Sequence, residues 1–311
     1  MPRTFAFLAL AAAGFAFAQD GAVFRSGVSL VHVDAEVTAR DGRILTGFSK
    51  ADFRVFDEGK EQPIVNFASE DQPLDLILLF DVSGSMRAVV EGISSAAREG
   101  LRELRQGDRV SVMVFNSRSK VVLPFTEDLD AVERSIRGDV LGRRFGGGTL
   151  IQQAVDDAAM RFLHEPQTGR RRAVLITTDN MGMRTRNEQA VVRDFWEADA
   201  LLSGLIVANP VFQAARAMHP ASLLLSAGMK GIAEKTGGDA IRSGDAGAGF
   251  QEMMRRIRSR YSLYYRMPEG KDGQPRTIRV ELSADAKARF PGAHVRARKG
   301  YVMPKETAPS R

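Results

Sequence analysis

The chain has 311 residues, 44% hydrophobic and 26% charged, which are ordinary globular values and exclude wholesale disorder. It has no cysteine, so disulfides, thiolate metal sites, a cysteine nucleophile and a lipid on an N-terminal cysteine are excluded. The formal net charge of +6 is a modest excess, and the single Trp and four Tyr do not interleave with the arginine runs, as a groove for single-stranded nucleic acid requires.

The chain opens with a pattern that reads as a secretory signal over residues 1–18. Arg3 is followed by a 13-residue apolar run, Phe5 to Phe17, and Ala16-Phe17-Ala18 supplies small residues for cleavage. Such a run is short for a bilayer span, and no later segment approaches the roughly 18 apolar residues of a spanning helix. The mature chain loses only Arg3 among its charges, leaving +5. It is expected to be exported, periplasmic or extracellular, with no transmembrane segment and no nucleic-acid partner.

Residues 19–72 read as β-structure. Val31, Val33, Ala35 and Val37 alternate with polar residues, the period of a half-buried strand. Asp41-Gly42 signals a hairpin, Phe53 to Phe56 a short strand, Glu58-Gly59 a turn and Ile64 to Phe67 a third strand. Pro63 marks that third strand as an edge.

From residue 73 to 259 strands alternate with helices. An apolar strand ends at Asp81. Val89, Val90, Ile93, Ala97 and Leu101 then recur at helical spacing. Strands follow at Val110 to Phe115 and Lys120 to Phe125, and a short helix at Asp128 to Arg137. Gly146-Gly147-Gly148-Thr149 leads into a helix through Phe162, and Ala173 to Thr177 is a buried strand ending at Asp179. Helices at Glu188 to Ala200, Met229 to Lys235 and Phe250 to Arg258, with a strand at Leu205 to Ala208, complete the pattern. This alternation predicts a doubly wound, mostly parallel α/β sheet with helices on both faces. The stretch from Asn209 to Ala221 fits no regular element. Arg170-Arg171-Arg172 and Arg255, Arg256, Arg258 and Arg260 are read as solvated helix and loop faces, and Met253 and Met254 as core.

Residues 260–303 return to β-structure, with strands at Ser262 to Met267, Ile278 to Leu282 and His294 to Arg298, and 304–311 form a tail. Neither terminal β stretch has enough strands to bury a core alone. The two are therefore expected to combine into one small β-sandwich, with the α/β unit inserted in it.

Chemistry concentrates at three places where a strand gives way to a loop: Asp81, Ser83 and Ser85; Thr149; and Asp179. Carboxyl ends of neighbouring strands converge on a crevice in a doubly wound sheet. Each residue alone could serve as a helix cap or turn former. Together they offer two carboxylates and three hydroxyls, an oxygen set suited to a hard divalent cation such as Mg²⁺. The histidines His32, His164, His219 and His294 show no ligand spacing and are read as surface or capping groups. No G-K-[ST] follows the glycines at 146–148, so they form no phosphate loop.

The pattern D-x-S-x-S, then a distant Thr, then Asp resembles the von Willebrand factor type A domain with its metal-ion-dependent adhesion site. The resemblance implies that Ser83, Ser85 and Thr149 bind the metal directly, with Asp81 and Asp179 acting directly or through water. The implied ion is Mg²⁺, with Mn²⁺ or Ca²⁺ as alternatives, and an Asp or Glu of a partner protein takes the open position. Gly47, Asp52, Phe53 and Val55, the stretches Ala233 to Gly238 and Tyr261 to Tyr265, and Arg298-Lys299-Gly300-Tyr301 are similar to an exported bacterial subgroup of these proteins. Asn180 departs from the glycine common after the last Asp, although Asn tolerates unusual backbone angles. An enzyme is not expected: a Mg²⁺-dependent hydrolase of the phosphatase kind needs a second carboxylate where Ser83 stands. The remaining alternative is an envelope structural or assembly protein with no metal-dependent role.

Overall fold

Alternate residues of the first strand, Val31, Val33, Ala35 and Val37, are buried, as their period-two spacing predicts. The structure is a computed structural model and describes residues 29–69, 72–166, 168–182, 185–207 and 227–304. The expected signal at 1–18, the Asn209–Ala221 stretch and His219 lie outside the described residues.

Four strands come first: β1 (Leu30–Thr38), β2 (Phe53–Asp57), β3 (Lys60–Gln62) and β4 (Ile64–Ser69). The α/β unit follows with β5 (Leu74–Asp81), α1 (Arg87–Leu101), β6 (Arg109–Phe115), β7 (Ser119–Thr126), α2 (Leu129–Ser135), α3 (Ile151–Leu163) and β8 (Arg171–Thr178). It continues with α4 (Glu188–Glu197), β9 (Ala200–Val207), α5 (Met229–Thr236), β10 (Ala240–Ser243) and α6 (Ala246–Arg258). The chain then adds β11 (Tyr261–Arg266), β12 (Pro275–Leu282), α7 (Ala284–Arg289), β13 (His294–Ala297) and β14 (Gly300–Val302).

The central sheet has the order β10-β9-β8-β5-β6-β7, parallel except for the antiparallel edge strand β7. Every residue of β5 is buried, as a strand covered on both faces requires. Leu76, Leu78 and Phe80 pack with Val90 and Ile93 of α1 and Phe250 and Met253 of α6. Ile77 and Leu79 join Val155 of α3, Phe195 of α4 and Ile232 of α5 on the other face. The protein is thus a mixed α/β fold with a mostly parallel sheet between two helical layers. Met253 and Met254 are core residues, as read from their spacing.

Two antiparallel sheets flank this unit, ordered β13-β1-β11-β4 and β14-β12-β2-β3. Each combines strands from both ends of the chain, and their inner faces share one apolar cluster that includes Val33, Val55, Leu263, Ile278 and Leu282. β4 is an edge strand, in keeping with Pro63. The β2–β3 hairpin turns on Glu58 and Gly59, both at positive φ (48° and 78°), the geometry of a tight two-residue turn. Asp57 is fully buried in the sandwich. It accepts hydrogen bonds from Tyr265 Oη at 2.8 Å, Tyr301 Oη at 3.0 Å and Arg276 Nε at 2.8 Å, so its burial leaves no bare charge.

Several elements differ from expectation. β9 begins at Ala200, five residues before the expected strand, because Asp199 turns left-handed (φ 50°) and stops α4. The short strands β3, β10 and β14 and the helix α7 carry too little periodic pattern to be read from sequence.

Most of the arginine runs are not solvated, although Arg255 is exposed as expected. Arg171, Arg172, Arg256, Arg258 and Arg260 are buried where the sandwich meets the α/β unit. Arg171 donates to Asp34 at 2.9 Å and to the carbonyls of Ile257 and Arg258. Arg256 donates to Glu252, Asp239 and the Gly42 carbonyl, and Arg260 to the Gly237 carbonyl at 2.7 Å. The planar guanidinium has five donors and can satisfy carboxylates and helix-end carbonyls together, which a solvated reading overlooks.

His32 corrects the surface reading of the histidines in the same way. Its ring lies between Asp34 at 3.4 Å and Asp199 at 3.2 Å and stacks on Tyr264. Burial alone would lower its pKa, but the two carboxylates outweigh this and raise it to about 9. His164 does cap the end of α3, with Nδ1 2.7 Å from the Met160 carbonyl.

Candidate metal centre

The direction of winding reverses between β5 and β8. From β5 the chain steps to β6 and β7, then returns to the other side for β8, β9 and β10. The carboxyl ends of β5 and β8 therefore border the crevice that doubly wound sheets leave at such a switch. Asp81 is the last residue of β5, and Asp179 directly follows β8.

These two loops meet. Ser85 Oγ donates to Asp179 Oδ2 at 2.7 Å across 94 residues of sequence. Ser83 Oγ lies 3.4 Å from Ser85 Oγ. Asp81 Oδ1 accepts from the Ser83 amide at 2.9 Å, and Asp81 Oδ2 accepts from Thr178 Oγ1 at 2.8 Å. Asp179 Oδ1 accepts from the Met181 amide at 2.9 Å.

Thr149 is carried in by a third loop. The Gly146 amide donates to the Val82 carbonyl at 3.1 Å and the Leu150 amide to the Asn116 carbonyl at 2.9 Å, so both ends of the Gly146–Leu150 stretch are tied to the loops after β5 and β6. A Cβ built on Gly182 would stand 3.2 Å from the Thr149 carbonyl oxygen, which puts Thr149 against the loop that carries Asp179. All five residues singled out in the sequence thus lie on three contiguous loops at one end of the sheet. Thr178 and Asn116 were not anticipated. Thr178 clamps Asp81 and also accepts the Asn180 amide at 3.1 Å. Its signal was a hydroxyl at the end of an apolar strand, one residue before Asp179. Asn180 adopts φ 59°, the unusual angle that an asparagine in place of glycine has to supply.

The donor set is oxygen throughout. Among the described residues no cluster of three or more His, Cys, Asp or Glu is placed to hold a metal, so a cation here would depend on hydroxyls beside the two carboxylates. Burial pushes the Asp81 carboxyl up to about 6, with the Asp179 charge adding to it and hydrogen bonds from Ser83 and Thr178 opposing. A divalent cation between the two acids would relieve both the burial cost and the repulsion, so these residues fit such an ion.

Residues 76–182 match the family model of the von Willebrand factor type A domain. The type A match runs from within β5 to the Asp179 loop and includes every residue of the candidate centre. Solved structures with a similar fold include BatB from Bacteroides thetaiotaomicron (20% identity, TM-score 0.48, covering 59% of this chain and 97% of that one). They also include a von Willebrand factor type A protein from Catenulispora acidiphila (12%, 0.43, covering 91% and 76%). A third is proximal thread matrix protein 1 from the mussel byssus, described with a zinc-occupied MIDAS motif (12%, 0.47, covering 66% and 50%). Among curated proteins none matches the chain. No helix among the described residues is long and apolar enough to cross a membrane.

Proposed function

We propose that the protein is an exported, metal-dependent binding module. In this reading Asp81, Ser83, Ser85, Thr149 and Asp179 hold Mg²⁺, or Mn²⁺ or Ca²⁺ in its place, and an Asp or Glu of a partner protein completes the coordination. The observation that carries the reading is the 2.7 Å contact between Ser85 and Asp179, which closes two loops around a common point. The hydroxyls contribute oxygen without charge, so an ion held by only two carboxylates keeps affinity for a third from outside. The same residues argue for binding rather than turnover, because Ser83 and Ser85 do not act as general bases near neutral pH. The export half of the reading rests on the sequence pattern of residues 1–18 alone.

The test is titration of Mg²⁺ and Mn²⁺ into the purified protein by calorimetry, with Asp81→Ala and Asp179→Ala as controls. Saturable binding lost in both variants supports the reading. Wild type that binds neither ion, or variants that bind as well as wild type, would overturn it.

A further inference from the structure

Among the described residues, the loops and helix starts around the candidate centre carry several exposed cations. Arg118 lies in the turn between β6 and β7, and Arg144 in the loop before Gly146, whose amide is bonded to Val82 of the site loop. Arg242 is near the end of β10. All three side chains are exposed, and none has a carboxylate partner among the described residues. Arg87 and Lys230 also lie on this rim, with side chains 51% and 76% exposed. The Arg87 guanidinium sits 4.6 Å over the ring of Phe145. Two described carboxylates at the same end are engaged, Glu188 with Lys235 at 2.8 Å and Asp245 as the cap of α6.

Arg87 and Lys230 are placed against local preference. Each is in the first turn of its helix, α1 or α5, and neither first turn has an acidic residue. The helix dipole favours anions there, not cations. Their intrahelical partners are distant, Arg87 to Glu91 at 3.9 Å and Lys230 to Glu234 at 3.8 Å, and both pairs run in the less favourable order of cation before acid. Arg87 recovers part of this cost through the Phe145 ring, whereas Lys230 has only the long Glu234 pair in return, and a residue set against local preference is expected at functional sites. A cavity of about 460 Å³ elsewhere, between Trp196 and Tyr301, lies at the opposite end of the sheet and is separate from this rim.

Beside the site the rim is concave. A cavity of about 260 Å³ starts at Asn180, the residue after Asp179, and is lined by Gly228, Lys230, Ala240 and Arg242. Asn180 ties this cavity to the Asp179 loop, and its charged lining is cationic apart from the paired Glu188.

We propose that the partner segment is polyacidic: besides the carboxylate at the metal, it carries flanking Asp or Glu side chains that seat against Arg118, Arg144 and the Lys230–Arg242 cavity. This rests on the metal-dependent reading of the same site. The rim supplies attraction over a Debye length, so it adds both affinity and association rate at low salt.

The test uses two synthetic peptides, one with a single Asp in Gly/Ser flanks and one with the same Asp between pairs of Glu. Each is titrated into the purified protein in Mg²⁺ at low and at high NaCl. The acidic-flanked peptide is expected to bind at least tenfold tighter at low salt. The advantage should vanish in the triple variant Arg118→Ser/Arg144→Ser/Arg242→Ser and be kept in the corresponding Arg→Lys triple. Equal affinities, an advantage that survives the Ser triple, or no binding of the acidic-flanked peptide at millimolar concentration overturns the proposal. So does a single-stranded DNA oligonucleotide that binds tighter than the peptide. Mn²⁺ titrated alone into wild type separates the two readings: no Mn²⁺ binding rejects the metal site, whereas Mn²⁺ binding without a flank preference rejects only the acidic rim partner.

Discussion

Arg171, the first residue of β8, reaches across to Asp34 in the middle of β1, bonding at 2.9 Å with almost no solvent access to the guanidinium. One contact thus joins the base of the parallel sheet to the centre of the sandwich. Removing one member of a buried pair strands the other, which costs about 3–5 kcal/mol. Asp34→Asn is expected to lose stability of that order in urea denaturation. A loss under about 1 kcal/mol would show that Arg171 is satisfied by the Ile257 and Arg258 carbonyls alone.

His32 gives this junction a pH dependence. Its pKa is raised from 6.5 to about 9, so its stabilising charge is fully present below the unfolded value and is lost as pH rises through 9. Asp34 and Asp199 are shifted the other way: burial opposes their ionisation, but Arg171 beside Asp34 and Arg298 beside Asp199 prevail. Their contribution is present above the unfolded carboxylate range and lost in acid. The melting temperature is expected to fall between about pH 7 and 9, and His32→Gln should flatten that limb while only weakening the acid limb, which Arg171 and Arg298 still support.

Divalent metal should raise the melting temperature, because an ion that binds only the folded state stabilises it by mass action. The expected shift in millimolar Mn²⁺ is absent in Asp179→Ala. Thr178→Val removes the hydroxyl that clamps Asp81 and should weaken Mn²⁺ binding roughly tenfold, the low end for losing a group that orients a ligand. Calorimetry on the two variants distinguishes a ligand from an orienting group.

Asn180 holds φ 59° in the loop behind Asp179. A β-branched residue is strained there by about 1–2 kcal/mol. Asn180→Val should therefore lower both stability and metal affinity, and Asn180→Gly should leave them close to wild type. If Val is tolerated, the loop does not depend on this angle.

Gly238 is pressed against β9. A Cβ on it would stand 1.8 Å from the Leu202 carbonyl oxygen, an impossible contact with backbone that cannot swing aside. Gly238→Ala is expected to reduce soluble yield severely, whereas Gly59→Ala in the exposed hairpin should cost only the strain of its positive φ, about 1 kcal/mol.

The loop that carries Asp81, Ser83 and Ser85 was legible because its signals are local, and its meeting with the Asp179 loop followed from the expected convergence of strand ends. An apolar strand followed by Asp81-x-Ser83-x-Ser85 needs no knowledge of the rest of the chain, and Asn180 announces its own backbone angle. The mixed sheets could also be reasoned out, since neither end has strands enough to close a core. The arginines were not legible. Arg171 is buried because Asp34 lies opposite it, 137 residues earlier in sequence, and nothing beside Arg171 in sequence signals this. His32 was missed for the same reason, since Asp199 lies 167 residues away. Asp199 also ended α4 by its own backbone angle, in a run of apolar residues that could be read as more helix.

The interleaving of first and last strands has a consequence for the order in which the molecule can be made. Apart from a local bridge between Thr38 and Ile44, the described strand partners of β1 are β11 and β13, and Glu36 meets Arg296 across 260 residues. A ribosome delivering the chain from its N-terminus releases β1, β4 and the β2–β3 hairpin long before the C-terminal strands they pair with exist. The α/β unit is one continuous stretch and can close on its own, while the opening strands stay bare-edged until the final strands arrive. Truncation near the C-terminus should therefore leave the α/β unit with its candidate centre folded and expose the earliest strands to aggregation.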